Sequence, residues 1–140
     1  MLEGIAAVLE GSSLALEADI PFWYDAIITT HTGEPRRVSE LVIERTDRVT
    51  IMDYRDYAAP PDGIIDNAKS EIDFAGTVGK QVVIGVETVC GIEPENVTFC
   101  EEGEAAMEAA LAETAAHYAG VSAWAGFAVH DYSSYSTMAP

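Results

Sequence analysis

The chain has 140 residues, of which 49% are hydrophobic, enough for one ordinary domain with a sizeable core. Twenty-four Asp and Glu against seven Lys and Arg give a formal charge of −17 and a pI near 4.2. Such a surface repels phosphate backbones and argues against nucleic acid as a partner. No apolar run reaches the ~18 residues of a membrane span, and the amphipathic start lacks the pattern of a signal peptide. The expectation is a cytoplasmic protein with no membrane partner.

Leu2, Ile5, Ala6 and Leu9 recur at helical spacing, so the chain opens on a short helix closed by Gly11. A first strand, Leu14–Ile20, runs into Pro21, and residues 22–37 read as a long loop broken by Thr32-Gly33 and Pro35. Val38, Leu41, Val42 and Arg45 suit a short helix before a second strand, Val49–Tyr54. Pro60-Pro61 blocks continuation. Asp62 then suits an N-cap for a helix with Ile65, Ala68, Ile72 and Ala75 on its apolar face, closed by a left-handed Gly79.

A third strand, Val82–Thr88, follows. Thr98 and Glu101 have capping-box spacing, and the next helix carries Met107, Leu111, Ala115 and Tyr118 up to Gly120. The fourth strand is Ala123–Asp131, and the polar tail 132–140 is expected to fray. Cys90 and Cys100 have no metal-type spacing and no neighbouring His, so free structural thiols are the expectation, with a loop disulfide as the alternative.

Strands alternating with helices predict parallel pairing, because parallel strands need long crossovers. With right-handed crossovers and a strand order of 1-2-3-4, all helices fall on one face. The other face then holds Glu17, Asp19, Val49, Ile51, Asp53, Val83, Gly85, Glu87, Gly126, Ala128 and His130, small and apolar below and ionisable above. Barrel interiors have this character. Four strands cannot close a barrel, so the fold class predicted is a (βα)4 half-barrel over 1–140 as a single domain, completed by a second copy of itself. An open doubly wound sheet of order 2-1-3-4 is the alternative.

Asp19, Asp53, Glu87 and His130 stand near the four strand ends at spacings of 34, 34 and 43 residues, and are the candidate catalytic residues. Neighbouring carboxylates can be split into one protonated acid and one ionised base, the division that glycoside hydrolysis requires. Glu87 is the candidate nucleophile or base, above the space at Gly85; Asp53 is its partner, and His130 a hydrogen-bond partner or proton shuttle. Trp23, Tyr24, Tyr54 and Arg55 are candidate substrate-binding groups, aromatic platforms and a cation near the mouth. Asp and Glu at strand ends also suit Mg²⁺ or Ca²⁺ as a weaker reading. No Walker loop, G-x-G-x-x-G, zinc-type or EF-hand spacing occurs, and no cofactor or resident metal is expected.

Ala18-Asp19-Ile20-Pro21-Phe22-Trp23-Tyr24-Asp25, Ile51-Met52-Asp53-Tyr54-Arg55-Asp56, Val83-Ile84-Gly85-Val86-Glu87-Thr88 and Gly126-Phe127-Ala128-Val129-His130-Asp131-Tyr132 resemble the last four strands of bacterial TIM-barrel proteins of the glycoside hydrolase type. The resemblance covers nearly all of the chain but only the C-terminal half of such a barrel. It implies carbohydrate binding or hydrolysis, with Glu87 matching by strand order the nucleophile of many retaining members. The acid/base carboxylate of the fourth barrel strand has no counterpart here. A non-catalytic assembly or binding protein is the other reading.

Overall fold

A computed structural model describes all 140 residues, Met1–Pro140. The elements are α1 (Leu2–Leu9), β1 (Glu17–Pro21), β2 (Ile28–Thr29), β3 (Arg36–Arg37), α2 (Val38–Arg45), β4 (Arg48–Met52), α3 (Ile64–Val78), β5 (Gln81–Glu87), α4 (Glu104–His117), β6 (Trp124–His130) and α5 (Tyr132–Tyr135). Short 3₁₀ turns lie at Phe22–Asp25 and Glu95–Val97. Val49, Ile51, Val82, Val83, Ile84 and Val86 supply the β-branched character that a pleated, half-buried surface favours. Each parallel pair is joined through a helical segment long enough for the crossover.

The architecture is mixed α/β, with a four-stranded parallel sheet ordered β1-β4-β5-β6. The sequence counted four strands in the order 1-2-3-4; the chain has six. The departure is the antiparallel β2–β3 pair, which occupies the region expected to be a loop and lies outside the main sheet. No barrel is closed, since β1 and β6 are the two ends of the sheet. No helix is long and apolar enough to cross a membrane.

Register decides what each face holds. Ile20, Ile51 and Ile84 are in line, as are Ala18, Val49 and Val82. Ile20, Val49, Ile51, Val82, Ile84 and Val86 are buried in one cluster with Ile64, Ile65, Ala68, Ile72 and Ala75 of α3 and Met107 and Leu111 of α4. Fully burying each large aliphatic side chain contributes about 1.5–3 kcal/mol. Thr50, Met52 and Gly85 turn to the opposite face. This corrects the expected parity of β4: Val49, Ile51 and Asp53 lie on the covered side. The bulky β-branched residues follow the helices, and the alternation carries Asp53 with them. On β6 an extra residue shifts the register between Val82 and Ile84 of its partner. Gly126, at φ 99°, accommodates that bulge.

Four local expectations change. The N-cap of α3 is Gly63, not Asp62, and no side chain caps it. A Cβ at Gly63 would lie 2.3 Å from the Ala59 carbonyl oxygen, which requires glycine. The carbonyl of Asp62 instead accepts hydrogen bonds from Arg55 and Asn67. Thr98 caps no helix, because α4 begins at Glu104 and the Thr98 hydroxyl donates to the Val89 carbonyl at 2.9 Å. Cys90 and Cys100 are joined as a disulfide with their Cα atoms 5.1 Å apart, so they are not free thiols. The tail is ordered as α5, where Asp131 accepts from the Ser134 N–H at 2.9 Å in a capping box. Ala139 also accepts from the Glu104 N–H at 2.8 Å, tying the terminus to the start of α4.

Candidate functional site

β5 ends at Glu87 and β6 at His130, and the two residues stand opposite each other in register. The Glu87 side chain is only 3% exposed, whereas that of His130 is 60% exposed. Glu87 Oε1 accepts from the backbone N–H groups of Thr88 and Val89, each at 2.8 Å. Its Oε2 lies 2.9 Å from His130 Nδ1. The loop that supplies the two N–H groups is itself held. Phe99 N–H donates to the Glu87 carbonyl at 2.9 Å, Thr98 bonds Val89, and the Cys90–Cys100 bridge closes the segment.

A groove of about 360 Å³ opens on this side of the sheet, lined by Asp19, Thr50, Met52, Tyr54, Gly85, Ala128, Val129 and His130. It contains no Lys or Arg. The Tyr54 ring stacks on the His130 imidazole, with centroids 6.4 Å apart and planes 25° from parallel. Burial pushes the Tyr54 phenol above its usual range, and the nearby Glu87 and Asp19 charges push the same way. A Cβ at Gly85 would stand 3.0 Å from the Ile51 carbonyl oxygen, so glycine lets β5 lie close to β4 in the groove floor.

The four candidate catalytic residues do not form one constellation. Glu87 and His130 touch. Asp19 shares their face but is level with Thr50 and Val83, four residues below Glu87 along the sheet. At about 3.3 Å per residue that is roughly 13 Å of strand, before the spacing of two strands is added. Asp53 lies on the other side, where its Oδ1 accepts from the Asn67 side chain of α3 at 3.0 Å.

Of the candidate binding groups, Tyr54 lines the groove and the others do not. Arg55 sits 4.9 Å above the Phe22 ring and donates to the Tyr54 and Asp62 carbonyls. Trp23, 52% exposed, packs edge-on against Phe22. Tyr24 leans on the hydrophobic core.

A second pair of acids occupies the covered side. Asp53 is fully buried and Glu71 of α3 is 1% exposed. Burial raises the Asp53 carboxyl to about 7, against the lowering effects of Asn67 and Arg55, while Glu71 adds to the rise. Burial likewise raises Glu71 to about 7, helped by the Asp25 charge and opposed by Ser39 and Arg37. Ser39 stays outside good hydrogen-bond geometry, so neither Glu71 oxygen has a full hydrogen-bond partner, and Asp53 Oδ2 has none. Sequence reasoning missed Glu71. The signal was its spacing: Ile64, Ala68, Glu71 and Ala75 fall at intervals of four, three and four, a single inward stripe.

No three His, Cys, Asp or Glu side chains converge as a metal site would require. The chain matches no family model, no curated protein and no solved structure.

Proposed function

We propose that the chain is a (βα)4 half TIM barrel, helices along one face, that self-associates and binds carbohydrate at the upper ends of its strands. The observation that carries this reading is an uncovered sheet face bearing a groove, with the Glu87–His130 pair at its top. Both β1 and β6 end the sheet with unpaired backbone groups, which invite a further strand. A two-fold copy supplies that strand at both edges and covers the groove face. The strand-end sequences resembling TIM-barrel glycoside hydrolases support the same placement.

Binding is favoured over hydrolysis. A glycosidase pair needs carboxyl groups about 5–9.5 Å apart across the scissile bond. Within one chain Asp19 is too low on the sheet and Asp53 is behind it. A disulfide persists in oxidising surroundings, so Cys90–Cys100 favours such a compartment over the cytoplasm.

Sedimentation at micromolar concentration, with calorimetric titration of neutral sugars, tests both halves of the proposal. A dimer that binds sugar supports it, and a monomer removes the assembly. A well-folded dimer that binds no sugar supports the second reading, a non-catalytic assembly protein built on the same open edges.

A further inference from the structure

The geometry points to His130 as a directed base, with Glu87 holding its Nδ1–H and its Nε2 lone pair presented to an uncharged or cationic ligand that carries hydroxyl groups. The ligand class rests on the carbohydrate reading above; the state of the imidazole rests on the hydrogen bonds alone.

Glu87 is buried, and three donors of its own chain already occupy its oxygens: two backbone N–H groups on Oε1 and His130 on Oε2. It is therefore a positioning residue rather than the nucleophile that its place by strand order implied. An ionised carboxylate only accepts, so the neutral imidazole must donate from Nδ1, which leaves Nε2 as the acceptor. Nε2 makes no hydrogen bond within the chain, and the ring lines the groove. When Nε2 takes a proton from a ligand or water O–H, the oxygen keeps the bonding electron pair. The resulting imidazolium retains its Nδ1–H on Glu87, which offsets the new positive charge.

The surroundings select the ligand. Asp19 lies in the groove and no Lys or Arg does. Arg48 is paired with Glu17 at 2.6 Å, and Arg55 is turned onto Phe22. The chain as a whole carries −17. Anions are repelled, while hydroxyl donors and ammonium groups are accepted.

Ring-nitrogen NMR of the intact protein, recorded well above the imidazole titration range and assigned with His130→Asn, tests the inference. The wild type is expected to show the Nδ1–H tautomer at His130, opposite to the form that free imidazole side chains prefer in water. In Glu87→Gln the two backbone donors keep the amide oxygen on their side, so the amide NH₂ faces His130. The tautomer should flip to Nε2–H. Methyl glucoside and glucosamine should then move the wild-type Nε2 resonance and glucuronate should not, with methyl glucoside bound about tenfold more weakly by Glu87→Gln.

An Nε2–H tautomer in the wild type overturns the directed base, whichever sugar binds. An Nδ1–H tautomer with no response to any sugar upholds the base and removes the carbohydrate reading. Glucuronate binding as tightly as methyl glucoside overturns the charge selection.

Discussion

Both faces of the sheet hold acids, but they treat them in opposite ways. On the groove side Glu87 is nearly as buried as any core residue, yet both its oxygens are hydrogen-bonded. On the helix side Asp53 and Glu71 are equally buried, and three of their four oxygens have no full hydrogen-bond partner. Burial raises both carboxyls of the second pair to about 7. Strongly perturbed acids are commonly taken to mark functional sites. Here they lie away from the groove, and the carboxyl group best placed for chemistry is the one its neighbours already satisfy. Burial alone does not distinguish the two; Glu87 Oε1 receives two backbone N–H groups, whereas Asp53, also at a strand end, receives only the Asn67 side chain.

The sharpest way to break this contrast is pH. Asp53 and Glu71 have folded-state values near 7, above the ordinary 3.8 and 4.5 expected when unfolded. Between those limits the folded state binds more protons than the unfolded state. Their contribution to stability is therefore complete below about pH 4 and is lost as pH rises through about 7. Each unit of displacement is worth about 1.4 kcal/mol, so urea unfolding at pH 5 and at pH 8 should differ by several kcal/mol. The Glu71→Leu protein should lose much of that dependence and gain about 1–4 kcal/mol at pH 8, since a buried charge without partners is removed. A wild-type profile flat from pH 5 to pH 8 would erase the distinction between the faces.

On the groove side the opposite is expected. Glu87→Ala orphans the Val89 N–H, leaves the Thr88 N–H only its bond to the His130 carbonyl, and frees His130; it should destabilise the fold by about 2–3 kcal/mol in equilibrium denaturation. Smaller is the effect of Tyr118→Phe on the covered side, where the hydroxyl donates to the Ile65 carbonyl at 2.7 Å; its loss should cost about 1 kcal/mol, because that carbonyl lies within α3 and keeps its helical partner. The smallest effect is expected at the exposed Lys69–Asp73 pair of α3. Lys69→Ala should shift stability by less than about 0.5 kcal/mol, and a larger loss would show that surface charge, not burial, dominates the pH response. Association offers one more measurement: with −17 on each copy, added salt should tighten any dimer, and weakening by salt would argue against contact between two acidic surfaces.

Periodicity located the four long strands and the main helices, because the apolar spacings of two and 3.6 residues are local properties of the chain. Gly79 was legible as a left-handed helix end for the same reason, and it stands at φ 69°. The short β2–β3 pair, the order of the tail and the Gly63 cap were not, since each depends on a neighbour distant in sequence or on close backbone approach. The disulfide was an open alternative that only the 5.1 Å approach of two Cα atoms resolves.

By itself the sequence determined the alternation of strands and helices, the parallel pairing it requires, and the presence of Glu87 and His130 at neighbouring strand ends. Only the tertiary structure decided the side on which each acid falls. Asp53 looked equivalent to Glu87 by spacing, but Val49 and Ile51 gain more by burial under α3 than Thr50 and Met52 would, and strand alternation then carries Asp53 beneath the helix. Register across a sheet is a collective choice of all its apolar side chains, so no single strand end reveals its own face.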